Sequence, residues 1–228
     1  MTEKIYVKDH DIVVPGDLLV EGLDFLPAGK AFRKDDKVFA STIGIVSVKG
    51  HVVKVIPLAG KYMPRKGDVV IGKVTGIGHS GWQLEVNSPY PADLNIGEAS
   101  SEYIDLNKTD MTFYFDVGDY VLCEVLNISE GKFIKLTAKY RPYRRLKGGN
   151  IIEVSPTKIP RIIGKQGSMI KTMKDLTGCD VTVGQNGLIW IGGAPDKQAV
   201  VARAIKFIEQ EAHKQGLTDK VKEMLSGK

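Results

Sequence analysis

Four consecutive residues, Gly164-Lys165-Gln166-Gly167, have the types and spacing best suited to chemistry in this chain of 228 residues. Glycines at both ends of a short turn leave bare backbone that a polyanion can approach closely. Lys165 puts a cation inside the turn, and Arg161, Lys171 and Lys174 flank it. Ile159, Ile162 and Ile163 fall at i, i+3 and i+4, which predicts a helix running into the turn. Met169, Ile170, Met173 and Leu176 predict a second helix leaving it. The free N–H groups and dipole of that second helix would point back at the turn. The chemistry implied is phosphate binding. The turn is not a nucleotide-hydrolysing P-loop, because the G-x-x-x-x-G-K pattern is missing and Gln166 stands where a hydroxyl is required.

The flanking elements must hold the turn in place. Residues 151–154 read as a strand. Cys179, Val181 and Val183 alternate with Asp180 and Thr182 as a half-buried strand, Asn186-Gly187 is a hairpin signal, and residues 188–191 return. Val200, Val201, Ala204, Ile205 and Ile208 line one face of a long helix. The order β-α-α-β-β-α, with G-x-x-G between the first two helices, resembles a type I KH domain. Such domains clamp about four nucleotides of single-stranded RNA or DNA on this loop. The resemblance implies RNA binding by Arg161, Gly164, Lys165, Gln166, Gly167, Lys171 and Lys174. Residues 217–225 add a short amphipathic helix after this stretch.

Charge is distributed unevenly. Residues 1–66 hold 11 basic and 8 acidic side chains, residues 67–140 hold 5 and 11, and residues 141–228 hold 16 and 8. The basic excess therefore lies with the G-x-x-G stretch, where phosphate binding needs it. No apolar run is long enough to span a bilayer and no signal peptide is read, so a cytoplasmic protein is expected. The two cysteines, Cys123 and Cys179, sit at apolar strand positions and read as buried free thiols of a reduced compartment. Asn107-Lys108-Thr109 and Asn127-Ile128-Ser129 match the glycosylation pattern by chance on this reading.

Residues 1–66 read as a β-rich N-terminal domain: a turn at Val14-Pro15-Gly16-Asp17, a strand at 18–20, a loop over 21–36, a hairpin over 38–55 turning at Lys49-Gly50, and a linker from 57 to 66. Residues 67–140 hold five short strands with glycine bends and a long polar loop over 98–110, the pattern of an OB-type Greek-key barrel. Gly-Asp recurs at 16, 67 and 118, which repeated turn chemistry explains better than duplication. The strings Gly-Asp-Val-Val-x-Gly-x-Val, Gly-x-x-Gly-Trp and Val-Gly-Asp-x-Val-x-x-x-Val resemble an S1 RNA-binding domain. That family stacks bases on barrel aromatics, a role open here to His79, Trp82, Tyr114 and Phe113, with core burial as the competing reading for Trp82 and Phe113. Residues 141–150, with Arg144 and Arg145, read as a basic linker that either contacts phosphates or is simply solvated.

The whole is a multidomain chain: a β-rich N-terminal domain (1–66), an S1-type OB β-barrel (67–140), the linker (141–150) and an α/β type I KH domain (151–228). This order resembles the RNA-binding cap subunit of the RNA exosome, of the ribosomal RNA-processing protein 4 family. Its most specific strings are Pro-Gly-Asp at 15–17, Ile-Gly-Lys-Gln-Gly-Ser-Met-Ile at 163–170 and Gly-Gln-Asn-Gly-Leu-Ile-Trp-Ile at 184–191. The resemblance implies that Gly184, Asn186, Gly187 and Trp190 pack the KH domain on the barrel. It also implies three copies on a hexameric ring of phosphorolytic RNase-PH-like subunits, docked through the N-terminal domain. There they would capture single-stranded RNA, favouring A-rich tails, and feed its 3′ end inward. No catalysis, cofactor or metal is expected, since His10, His51, His79 and His213 make no ligand or triad spacing. An independent RNA-binding factor associated with ribosomes is the alternative, and a free-standing nuclease the third reading.

Overall fold

The computed structural model describes residues 4–58, 60–101, 110–140, 142–212 and 217–226. The chain divides after Gly60 into two units, a few residues before the boundary read from the sequence. Tyr62 explains the shift. It is buried in the core of the second unit, where its phenol donates to the Asp68 carboxylate at 2.7 Å.

The first unit consists of two four-stranded sheets. One orders Lys4–Ile5, Leu18–Glu21, Lys37–Ala40 and Ala31–Lys34; the other orders Ile12–Val13, Gly44–Lys49, Val52–Pro57 and Leu26–Gly29. Alternation sends Val46, Val53 and Val55 inward to meet Leu19, Val20 and Val38. The region 21–36 is not a loop but holds two strands. Leu26–Gly29 has no apolar alternation of its own and is recruited by parallel pairing with residues 52–55. The Arg33 guanidinium ties the preceding bend together through the carbonyls of Gly22, Leu23 and Phe25. The expected hairpin is narrower than 38–55: Lys37–Ala40 joins the other sheet, and the turn falls at Gly50, whose φ is +57°.

The second unit begins with a closed barrel of Val69–Gly78, Gly81–Glu85, Ala92–Asn95, Tyr120–Ile128 and Ile134–Thr137. The first and fourth strands pair antiparallel, the third and fifth pair parallel, and the fourth and fifth close the cylinder. Val70, Val74, Leu84, Leu94, Val121, Val125, Ile134 and Leu136 fill it. Short helices, Ile96–Ala99 and Met111–Tyr114, flank the expected polar loop. Residues 102–109 of that loop, with the Asn107 sequon, lie outside the described residues. Arg144–Leu146 is a sixth strand, paired with residues 120–122 rather than forming part of a linker.

The recurring Gly-Asp pairs make the same turn three times. Gly16, Gly67 and Gly118 adopt φ of +93°, +85° and +93°. Each following carboxylate accepts the amide three residues back, from Val14, Arg65 and Asp116. Each turn also exchanges two backbone hydrogen bonds with one residue of a neighbouring strand: Ala40, Val125 and Val74. A positive φ at the third turn position is why glycine recurs there.

The three-stranded sheet Asn150–Glu153, Leu188–Gly192, Asp180–Val183 is antiparallel and carries four helices. Ile159–Ile163 buries Ile159 and Ile162; Ser168–Thr177 buries Met169, Met173 and Thr177. Leu176, read as part of that face, is largely exposed instead. Pro195–Gln210 buries Val201, Ala204, Ile205 and Ile208. Leu217, Val221 and Leu225 of Leu217–Ser226 close the same core. Cys123 and Cys179 are buried and unbridged.

Candidate nucleic-acid interface

The G-x-x-G turn is built as a bridge between helices. Ile159–Ile163 ends as the Gly164 N–H bonds to the Pro160 carbonyl, and Gly164 swings to φ +75°. Lys165–Gly167 forms one tight 3₁₀ turn, closed by the Gly167 N–H on the Gly164 carbonyl at 3.2 Å. Gly164 has to be glycine, because a Cβ there would lie 2.9 Å from both Cβ and N of Met169. Gly167 caps Ser168–Thr177 from the left-handed region and, having no side chain, leaves the first helical amides without a side-chain acceptor. Lys165 and Gln166 are exposed at the tip.

The flanking cations divide into two groups. Arg161, Lys165 and Lys171 are exposed around the turn, and Lys165 and Lys171 have no ion-pair partner among the described residues. Lys174 is held instead by Asp180, Nζ to Oδ1 at 2.7 Å, and Arg144 binds the other oxygen of the same carboxylate at 2.8 Å. Arg145 pairs with Asp119 at 2.6 Å. Of the three residues read as RNA contacts, Lys174 and Arg144 thus meet on Asp180 and clip the KH-like helix and sheet to the barrel's sixth strand, while Arg145 ties that strand to the Asp119 turn within the barrel.

These pairs hold Asp180 below the usual carboxylate range, Lys174 first and Arg144 second. A lowered folded pKa means the contribution is present above the unfolded value of 3.8 and disappears as pH falls through the folded value. Half-exposed pairs are screened, so Asp180→Asn should cost at most about 1 kcal/mol at neutral pH. Thermal unfolding across pH should show the variant and parent converging at the acid end. A difference that persists there would mean the clip acts through packing alone.

Behind the clip is a buried junction. Asn186 is fully buried; its Nδ2 donates to the carbonyls of Ile71 at 2.7 Å and Val86 at 3.0 Å, and its Oδ1 accepts from the Ile71 N–H at 3.3 Å. The Gln185 N–H continues the ladder onto the Val69 carbonyl at 2.8 Å. Residues 185 and 186 thereby act as a surrogate strand where the first two barrel strands separate. Gly184 admits this contact, since a Cβ would sit 2.3 Å from the Asn186 Oδ1. Gly187, at φ +88°, closes the loop against Val154. Trp190 packs with Ile71, Leu122 and Leu146 and donates to the Gly148 carbonyl at 2.7 Å. Asn87, which the sequence reading did not single out, adds bonds to the Asn186 carbonyl and Glu153.

The barrel corrects the stacking residues. Trp82 is 1% exposed, donates its indole N–H to the Phe115 carbonyl at 2.8 Å and meets that ring edge-on. It is a core residue, and its face is closed to a base. Its place beside Leu84 and Val86 in a period-two pattern was the signal for this. Phe113 is 77% exposed rather than buried, and Tyr114 is half-buried against it. His79 is exposed in the two-residue turn between Gly78 and Gly81.

A closed OB barrel locked to a KH fold that displays an open G-x-x-G turn defines a class of RNA-binding protein. Comparison with known sequences narrows the class. Residues 61–127 match the family described as the RRP4 S1 domain, residues 10–59 the exosome RNA-binding protein RRP4 N-terminal domain, and residues 149–197 the KH domain. The chain is 42% identical over 226 residues to the exosome complex component Rrp4 of Thermococcus kodakarensis, covering 98% of this chain and 88% of that one. It is 42% identical over 221 residues to the protein of the same name from Methanothermus fervidus, covering 97% of each. A crystal structure of an exosome complex RNA-binding protein is similar at a TM-score of 0.67 and 34% identity, over 74% of this chain and 97% of that one. The chain belongs to the Rrp4 family of RNA-binding exosome components.

Proposed function

We propose that this chain caps an exosome, capturing single-stranded RNA and passing its 3′ end to a phosphorolytic ring of RNase-PH-like subunits, without catalysing any step itself. The observation that carries this is the open Gly164–Gly167 turn, whose exposed Lys165 lies beside an uncapped helix start in a fold anchored rigidly to an OB barrel. Backbone amides and cations of that kind bind phosphates. Three copies per hexameric ring, a cytoplasmic location and a preference for A-rich tails complete the reading.

The first unit supports docking. Ile12 pairs with Ile45, and Ile45 with Ile56, so the three share the outer face of one sheet. Ile12 is 69% and Ile56 46% exposed, with Leu26 and Val52 also open. Exposed apolar surface of this kind marks a protein contact. Affinity capture of the tagged chain from its host, followed by native mass measurement, should recover RNase-PH-like subunits in equal numbers. Ile56→Lys should lose them while keeping RNA affinity. Capture of the chain alone, or with ribosomes, would replace this reading with that of an independent RNA-binding factor.

A further inference from the structure

The two sheets of the first unit share one core, so their outer faces point opposite ways. The face with Ile12, Ile45 and Ile56 is aliphatic. The opposite face has a different chemistry, set by register. Val38 and Ala40 are buried, so strand alternation turns Lys37 and Phe39 outward. Phe39 stands opposite Phe32 on the edge strand and opposite Leu18 on its other side. In the next outward row Lys37 stands opposite Lys34 and Glu21, and Glu21 opposite Lys4. Two parallel rows thus cross the sheet, one apolar with two phenyl rings, the other charged with three lysines and one glutamate.

The rows match the two halves of a single-stranded nucleic acid. The rings of Phe32 and Phe39 have centroids 5.8 Å apart and planes within 28° of parallel. Phe32 is 44% exposed, and no hydrogen-bonded strand lies beyond it, so a further flat ring has access to the pair. In the charged row the only carboxylate is already occupied. Glu21 accepts from the Tyr6 hydroxyl at 2.9 Å, and its other oxygen lies 3.6 Å from Lys37 Nζ. Lys4 and Lys34 are exposed and form no ion pair among the described residues. With neighbouring strands about 4.8 Å apart, the row spans roughly 14 Å over the four strands. Asp35 and Asp36, in the turn between Lys34 and Lys37, end the basic track on that side.

We propose that this face is a second RNA-binding surface, on which a base stacks against the Phe32–Phe39 pair while Lys34 and Lys4 hold adjoining phosphates. The proposal rests on the RNA-binding reading above and extends it to the first unit. Aromatic side chains stack on any base, because each has a π-face, and lysines read only the phosphate charge. The surface is therefore indifferent to sequence. A protein partner fits less well, since lysine is depleted at the core of protein interfaces, where its charge loses water.

The test is fluorescence anisotropy of the full chain with a mixed-sequence single-stranded RNA over a salt series, in parallel with ultraviolet cross-linking and mass-spectrometric mapping of the linked residues. Cross-links should fall on Phe32 or Phe39. Phe32→Ala with Lys34→Ala should weaken binding about fivefold, from one lost stack, and make the salt slope shallower by roughly 0.7, from one lost phosphate contact. Phe32→Tyr keeps the π-face and should bind as the parent does. Both positions are exposed, and unchanged thermal unfolding would show that the variants fold. No cross-link within residues 31–40, or an unchanged affinity and slope in the double variant, would overturn the proposal while leaving RNA binding elsewhere intact. Loss of the captured RNase-PH-like subunits with RNA affinity unchanged would also overturn it and make this face a protein contact. If the parent chain binds no RNA, the RNA-binding reading fails and this proposal with it.

Discussion

Replacing Asn186 with alanine should lower the unfolding free energy of the second unit by about 3 kcal/mol or more. The cost has an identifiable origin. Asn186 is fully buried and satisfies the N–H and carbonyl of Ile71 and the carbonyl of Val86. Without the amide, these backbone groups lose their partner in a closed space, at about 1–3 kcal/mol each. For a chain of this size every kcal/mol moves Tm by roughly 2–4 °C, so calorimetry should register a fall of about 6–12 °C. Asn186→Asp separates hydrogen bonding from volume. It keeps the shape but turns an acceptor towards two carbonyls, so it should be at least as damaging as alanine at neutral pH. If aspartate were tolerated and alanine were not, the residue would matter only as filler. If both were neutral, the Trp190 cluster with Ile71, Leu122 and Leu146, together with the Gln185–Val69 bond and the Asp180 clip, would be enough to hold the two folds together.

Lys165→Asp combined with Gln166→Asp should weaken RNA binding about tenfold or more at moderate salt, with no loss of fold. Both side chains are exposed at the tip of the turn. Gln166 sits at φ +53°, a conformation that aspartate tolerates better than most residues. The exchange removes one cation and introduces two anions where a phosphate would rest. The slope of log affinity against log salt should become shallower by roughly 0.7, the share of one neutralised phosphate on a single strand. Filter binding over a salt series, paired with a thermal melt, measures both quantities. An unchanged affinity and slope would move RNA binding away from the turn. Substitution of Gly164 would not be a clean test: a Cβ there runs into Met169 at positive φ, so weaker binding would report misfolding.

The two experiments probe two loops of one small fold. Loop residues 184–187, between two strands, are committed to the barrel through buried amide bonds. The G-x-x-G turn, between two helices, is open. The fold can present its phosphate-binding turn in a fixed place because its hairpin loop is anchored, and the Lys174–Asp180–Arg144 clip reinforces that anchor near the surface.

Local pattern alone determined much of this molecule. Helix periodicity around 164–167, strand alternation at 179–183 and 188–191, and the Gly-Asp turns are each set by neighbours in the chain, through φ/ψ limits and a single buried face. They were therefore legible without coordinates, as was the order of the three folds. Pairing partners were not. Leu26–Gly29 becomes a strand only because residues 52–55 offer it an edge, and Arg144–Leu146 only because residues 120–122 do. Charge says still less by itself: Lys174, Arg144 and Arg145 look like phosphate ligands until Asp180 and Asp119, distant in sequence or on another strand, are brought against them. Composition marks an aromatic such as Trp82 as a stacking candidate; strand alternation with Leu84 and Val86 turns it inward, and only the tertiary structure brings it Phe115 as a partner. The physical reason is the same in each case. A residue's conformation answers to its near neighbours, whereas its partner, and hence whether its chemistry remains available to a ligand, is decided only when remote segments meet.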